Sequence, residues 1–401
     1  MFDTGNTGFM LLSTSLVMLM TPGLAFFYGG LVGRHNVLAI MMQSFVSMGV
    51  TTIVWYLFGY SLCFSGDTFY GLIGNLDKAF LNGISLNDKF NNDANIPLFV
   101  FISYQMMFAI ITPALITGAF TNRVRFGAYL IFLVVWLVFV YFPAVHMVWG
   151  GGLLAKWGVL DFAGGIVVHA IAGMAALASV LFVGKRKIAD TAHSIPLVAL
   201  GTGLLWFGWY GFNAGSELAV DSVTAQAFIN TDVAASFAAI TWLAISWFQT
   251  KKPTFVGLLT GAVAGLATIT PAAGYVTIGH AAIIGILAGT ICYCAVSLKN
   301  RLKWDDALDV WGVHGVGGTI GVIFLGVFAT TAVNSAGADG LLLGNTEFFI
   351  KETVAVIAMS AYAFVFSYLA LCIINKITPV KVDENAEKDV DAALHGETAY
   401  L

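Results

Sequence analysis

The sequence predicts an all-α polytopic membrane protein with eleven transmembrane helices, arranged as two five-helix repeats of inverted topology plus an eleventh helix. Three observations predict it. Of the 401 residues, 59% are hydrophobic and only 10% charged, against about 25% charged in an ordinary soluble domain. So little polar side chain cannot cover a water-soluble surface. The charged residues cluster between long charge-free runs, and an Asp followed by a deeper His recurs in each half of the chain.

The charge-free runs are 4–33, 35–66, 94–122, 126–155, 162–184, 191–216, 233–250, 253–298, 310–338 and 353–375. A helix that crosses the hydrocarbon core needs about 20 mostly apolar residues. Each run fits one span except 253–298, which is twice too long and is broken by Thr270-Pro271-Ala272-Ala273-Gly274-Tyr275. The 44 glycines fit helices that pack closely inside a bilayer. The polar stretch 64–95 reads as an external loop, and the chain turns charged after Thr378-Pro379. The expected organisation is a membrane domain over 1–377, with repeats at about 6–184 and 195–330 and a last helix at about 346–377. A tail follows over 378–401.

An odd number of spans puts the termini on opposite faces. Alternating the connections places 14 of the 18 Lys and Arg residues on one face, from Arg34 through Arg123, Lys185, Lys251 and Lys299 to Lys388. Only Lys78, Lys89, Lys156 and Lys351 lie on the other. Positive loops stay cytoplasmic, so the N-terminus is expected outside and the tail inside a cytoplasmic (inner) membrane. No positive n-region of a cleaved signal precedes the first span. Lys185-Arg186-Lys187 reads as a topology anchor, and His35, His193 and His280 as histidines of connections facing solvent or headgroups.

A net charge of −4 without a basic block leaves nucleic acid without an electrostatic footprint. The four cysteines include one close pair, Cys292 and Cys294, and have no metal-ligand spacing.

Ionisable groups inside a membrane are costly to place and are the first functional candidates. His169 lies eight residues past Asp161, which is ~12 Å along a helix and close to the bilayer centre. His314 lies five residues past Asp309. An Asp and a deeper His in the fifth helix of each half point to a site between inverted repeats near the midplane. Two neutral imidazoles there can exchange protons or hydrogen-bond a small polar solute. A metal enzyme would need a third ligand, and none stands in mid-span. No metal, no cofactor and no enzymatic activity are expected. Phe108, Trp149 and Phe212 fall near outer span ends, with Ser216 one turn past Phe212. Aromatic faces attract cations, which suggests an outer cation-recruiting vestibule without a fixed charge.

The chain resembles the Amt/Rh family of ammonium transporters, in its bacterial and archaeal Amt branch. The resemblance rests on Thr21-Pro22-Gly23-Leu24-Ala25-Phe26-Phe27-Tyr28-Gly29-Gly30-Leu31-Val32, Met41-Met42-Gln43-Ser44-Phe45 and His146-Met147-Val148-Trp149-Gly150-Gly151-Gly152. It rests also on Asp161-Phe162-Ala163-Gly164-Gly165 with Val168-His169, on Gly211-Phe212-Asn213-Ala214-Gly215-Ser216, on Thr270-Pro271-Ala272 and on Asp309 through Gly318. It implies ammonium or ammonia as the substrate and a homotrimer with one pore per subunit. Phe108, Trp149 and Ser216 match the outer recruitment site, Phe108 and Phe212 the stacked pair that closes the pore, and His169 and His314 the twin histidines. Asp161 matches an acid that supports the site without touching the ion, and Asp309 its equivalent in the second half. The ending His395-Gly396-Glu397-Thr398-Ala399-Tyr400 resembles the family's regulatory tail, which implies a PII-type nitrogen-regulatory partner. Asp389 stands where relatives commonly have Gly, and Tyr104 and Trp311 where other aromatics are usual. The alternative reading is an ammonium sensor that signals through this tail.

Overall fold

The computed structural model describes residues 1–91, 93–188 and 191–400. Among them, ten helices are long and apolar enough to cross a membrane. The first five are α1 (Thr4–Leu31), α2 (Val37–Phe64), α3 (Leu98–Phe120), α4 (Phe126–Trp157) and α5 (Gly165–Val183). Next come α6 (Ile195–Glu217), α7 (Ser222–Thr250) and the shorter apolar α8 (Phe255–Ile269). The last three are α9 (Ile278–Leu302), α10 (Trp311–Phe328) and α11 (Thr346–Ile377).

Helix starts carry the expected capping side chains. The Asp3 carboxylate accepts from Asn6 N–H at 2.7 Å to start α1, and Asp221 accepts from Val223 and Thr224 N–H at 2.9 and 3.0 Å to start α7. Each such cap stabilises a helix by about 1 kcal/mol. The long run 253–298 is broken at the expected place. Ala272 N–H bonds Ile269 O and Tyr275 N–H bonds Ala272 O, both at 2.9 Å, which turns the chain between α8 and α9.

Two helices begin before their charge-free runs. In α7 the Asp232 carboxylate accepts from Trp206 Nε1 at 3.2 Å and from the Tyr210 hydroxyl at 2.6 Å. In α11 the buried Glu352 accepts from Leu160 N–H at 2.6 Å. A partnered charge does not have to end an apolar helix, so both helices begin earlier than the runs imply.

The centre is formed by α3 and α5, which are mostly buried, while α11 runs along the outside. The exposed faces carry Ile240, Trp247, Phe248, Leu369 and Ile373, as a lipid-facing surface requires. Helices α1 and α6 pack along each other. Their approach depends on Gly201, where a Cβ would lie 2.2 Å from Phe27 N.

The 64–95 loop holds a two-stranded antiparallel pair, Asp67–Thr68 with Ile73–Gly74. Asp67 links this loop to the end of α4, accepting from His146 Nε2 at 2.8 Å and pairing with Lys156.

The tail lies back on the other face. Val382 N–H bonds Arg123 O and Arg125 N–H bonds Val380 O, both at 2.9 Å. Glu387 accepts from Lys187 N–H at 2.7 Å. Asp391 accepts from Leu38 and Ala39 N–H at 3.0 and 2.8 Å, at the first turn of α2. Asp305 takes a bidentate pair of bonds from Arg186, Nε to Oδ2 at 3.1 Å and Nη2 to Oδ1 at 2.7 Å, and lies 3.6 Å from the buried Arg123. Burial alone would raise the Asp305 carboxyl, but the Arg186 bonds and the Arg123 charge outweigh it and hold it below its usual value.

Candidate functional site

His169 and His314 meet in the interior. Their Nδ1 atoms are 3.2 Å apart, with ring centroids at 5.2 Å and planes inclined by 19°. Both are buried, at 1% and 4% exposed. Each sits in a π-helical turn, Gly165–Ala170 at the start of α5 and Trp311–Val316 at the start of α10. A π-turn is a local widening of the helix that recurs at functional sites.

The turns start on buried carboxylates. Asp161 accepts from Gly164, Gly165, Ile166 and Val167 N–H at 2.9, 2.6, 2.8 and 3.2 Å. These are N–H groups that the first turn of a helix leaves without an internal partner. In the second half the same task falls to Asp306, which accepts from Val310 and Trp311 N–H at 3.1 and 2.8 Å. Asp309, the acid expected there, instead has φ +59 and pairs with Lys299 Nζ at 2.6 Å. Lys299 also donates to the Asp306 carbonyl at 2.9 Å. Burial, and next the Asp309 charge, push the Asp306 carboxyl up to about 6.

The two helices touch through backbone. A Cβ on Gly173 would lie 2.0 Å from Gly315 N, so no side chain separates α5 from α10 beside the histidines.

Cavities lie in sequence along this line. A narrow one of about 10 Å³ is lined by His169, His314, Trp209, Phe212 and Leu24, among others. That is about the room one water needs. Trp209 stacks on His169 at 5.4 Å and is held by its own Nε1 bond to Thr270 Oγ1 at 2.9 Å. His169 Nε2 is buried without a hydrogen-bond partner. Toward the tail face a cavity of about 100 Å³ is lined by His314, Asp309, Tyr28 and Thr260. Toward the opposite face one of about 270 Å³ is lined by Trp149, Ser216, Glu217, Gln105 and Tyr275.

An aromatic set separates this wide cavity from the narrow one. Phe108 lies 4.3 Å from Phe212, inclined by 38°, and meets Trp149 edge-on at 5.8 Å. Trp149 donates its indole N–H to the Asp161 carbonyl at 2.8 Å. The Ser216 hydroxyl donates to Phe212 O at 2.9 Å. The Tyr104 hydroxyl is 2.9 Å from the carbonyls of both Gly211 and Phe212 and 3.2 Å from Ser216 Oγ. Tyr104 thus fixes the end of α6, a role its position in the sequence did not announce. Asp306 was also missed, although it precedes His314 by the same eight residues that separate Asp161 from His169. The vestibule expected to lack a fixed charge contains an ionisable carboxyl group, that of Glu217.

The tail residues are elsewhere. His395 packs against Phe126 at 5.3 Å, Gly396 takes φ +68, and Glu397 is exposed. The Tyr400 hydroxyl lies 2.7 Å from His193 Nε2, and Arg34 lies over its ring at 5.8 Å. His193, expected to face solvent, is therefore part of the tail's seat. Asp389 has φ −151, extended backbone that needs no Gly.

Fold and site together define a multi-pass membrane protein with a histidine pair at the narrowest point of a line of cavities. The chain belongs to the Ammonium Transporter Family, whose model matches residues 8–400, and this is a family of transporters rather than enzymes. The chain is 46% identical to an ammonium transporter of Bacillus subtilis, over 99% of this chain and 98% of that one. It is 41% identical to the ammonium transporter Amt1 of Archaeoglobus fulgidus, over 99% of each. Among solved structures it is similar to Mep2 of Candida albicans, with a TM-score of 0.89 and 34% identity over 100% of this chain and 93% of that one. It is also similar to a sensor Amt protein, with a TM-score of 0.88 and 27% identity over 98% of each.

Proposed function

We propose that this chain conducts ammonium-derived ammonia past the His169–His314 pair, with the proton removed before the narrow section and either released or moved separately. The reading is carried by the 3.2 Å Nδ1–Nδ1 contact beside a cavity about one water wide. Ammonium and potassium have the same charge and similar size, so a pore has to separate them by chemistry. Ammonium donates up to four hydrogen bonds and potassium none. Phe108, Trp149 and Ser216 offer aromatic faces and a hydroxyl to the cation. An intact ion in the narrow cavity would lose its hydration at a cost of several kcal/mol. Ammonia, left when ammonium gives up a proton, avoids that cost, and potassium has no proton to lose. The imidazoles then offer ammonia a donor and an acceptor in an otherwise apolar tube.

Phe108 and Phe212 act in this reading as a gate, and Asp161 and Asp309 as supporting acids, with Asp306 added on its geometry. The eleven-span count includes α8, and inverted five-helix repeats with an added α11 account for α1 packing on α6 and α5 on α10. The distribution of Lys and Arg supports a cytoplasmic-membrane location with the N-terminus outside and the tail over 378–401 inside. The homotrimer and a PII-type partner at the tail rest on family resemblance. The alternative, an ammonium sensor signalling through the tail, is favoured by the likeness to the sensor Amt protein and by the tail's bonds to the loops.

The deciding experiment is the current from purified protein in liposomes after an ammonium jump, with potassium as control. An ammonium-specific current lost on replacing both histidines supports transport with charge movement. Lumenal alkalinisation without current supports passage of neutral ammonia alone, and silence in both supports the sensor.

A further inference from the structure

The wide cavity next to Trp149 holds an acid that the proposed recruitment site does not use. Glu217 ends α6 immediately after Ser216, is half-buried and lines the cavity wall. The other carboxylates nearby each hold backbone N–H groups. Asp161 accepts four backbone N–H groups, Asp221 caps α7, and Glu352 holds Leu160 N–H. Among the described residues no hydrogen bond or ion pair engages the Glu217 carboxylate. A second polar group lines the same cavity. Gln105 is only 9% exposed, and its Oε1 is buried without a hydrogen-bond partner. A buried acceptor left unpaired costs about 1–3 kcal/mol, which a donating solute would recover.

We infer that Glu217 and Gln105 form a cation-holding subsite in the outer cavity, one step ahead of Phe108, Trp149 and Ser216, for a small monovalent cation that donates hydrogen bonds. The inference rests on the transport reading above and adds a carboxyl group to it, negative when ionised. A carboxylate in a cavity walled by Phe64, Phe90, Phe101 and Tyr275 acts through less water than one on an open surface, so it concentrates cations more strongly. Charge alone attracts potassium as well as ammonium. The subsite therefore sets how much cation arrives, and selection is left to the groups behind it.

The test uses the full chain in liposomes and ammonium as the probe. The ammonium-evoked signal is followed against concentration at low and at near-physiological ionic strength. With E217Q, the half-saturating ammonium concentration is expected to rise about three- to tenfold at low ionic strength. The difference should shrink at high salt, and the maximal signal should stay near wild type. E217D, which keeps the charge, should remain close to wild type. Equal half-saturation in E217Q and wild type at both salt levels would overturn the inference while leaving the transport reading intact. If E217Q does not yield folded protein, the wild type decides: its half-saturation has to rise with ionic strength, and a flat response overturns the inference. A wild type with no ammonium signal at all would remove the transport reading and this inference together.

Discussion

His169 and His314 face each other through like atoms, Nδ1 to Nδ1 at 3.2 Å. Two acceptors or two donors would repel at that distance, so one ring carries a proton on Nδ1 and the other does not. Which ring carries it can exchange, and with it the donor and acceptor that the pair offers to a passing molecule. Replacing either histidine by Ala removes that complement. Ammonium-dependent signal in liposomes is expected to fall about tenfold or more for H169A or H314A, on the scale of losing a buried hydrogen-bond partner. A double Ala variant that still prefers ammonium to potassium would refute the assignment.

Asp161 and Asp306 should differ in what their loss costs. Asp161 serves four N–H groups and Asp306 two. D161N is expected to destabilise the protein by about 2–4 kcal/mol and D306N by about half that, since bonds to charged groups contribute about 1.5–3 kcal/mol each and are not additive. Thermal unfolding in detergent, read by tryptophan fluorescence, checks the order. Equal losses would mean that the two turns are not held by these carboxylates.

Gly173 and Gly315 are in contact but should respond unequally. A Cβ on Gly173 would fall 2.0 Å from Gly315 N, while one on Gly315 meets Trp311 Cδ1 at 3.1 Å. G173A has to push two backbones apart, which costs more than the about 1–3 kcal/mol of ordinary overpacking. It is expected to abolish monodisperse protein in size-exclusion chromatography, while G315A survives with a lowered melting temperature.

The Asp305 pair predicts a pH dependence. Its folded value lies below its unfolded one, so the folded state binds fewer protons through the carboxylate range. The contribution is then present above the unfolded carboxyl value of about 3.9 and is lost as pH falls through the depressed folded value. D305N is expected to be destabilised by about 1–3 kcal/mol near pH 7. Melting curves of wild type and variant should converge below about pH 4, and a gap independent of pH would assign the loss to packing.

The tail prediction concerns Asp391. Its carboxylate caps the first turn of α2 through Leu38 and Ala39 N–H, and replacing such a cap by Ala costs about 0.5–2 kcal/mol. D391A should loosen the tail and speed tryptic cleavage at Lys381 and Lys388 several-fold, seen as loss of the C-terminal fragment by mass spectrometry. Unchanged cleavage would mean that the Arg125 and Glu387 contacts hold the tail without it.

Much of this architecture is legible in the sequence because lipid imposes a simple rule: long apolar runs become spans. The rule misplaced the start of α7, because Asp232 finds donors on α6 that only the fold brings near. The two histidines were visible as ionisable groups inside apolar spans. Their pairing was expected, but not its spacing, which depends on the Gly173–Gly315 crossing. Asp306 shares the eight-residue spacing to its histidine, but Asp309 stands nearer to His314 in sequence and masks it, although it is engaged by Lys299. Glu217 was hidden by its position at the end of a charge-free run, where it marked a boundary and not a cavity wall.

The Gly173–Gly315 crossing also governs tolerance. Most side-chain sites are blurred by rotamer choice, since flexible arms span the gap between elements. Here main chain meets main chain within a few residues of each imidazole, so the spacing of the rings is a dimension of the scaffold, with little slack to adjust. A displacement of α10 along α5 by a fraction of an ångström would be passed to the pair almost undiminished. A force that tilts these helices therefore reaches the rings directly, although both rings are buried inside the protein.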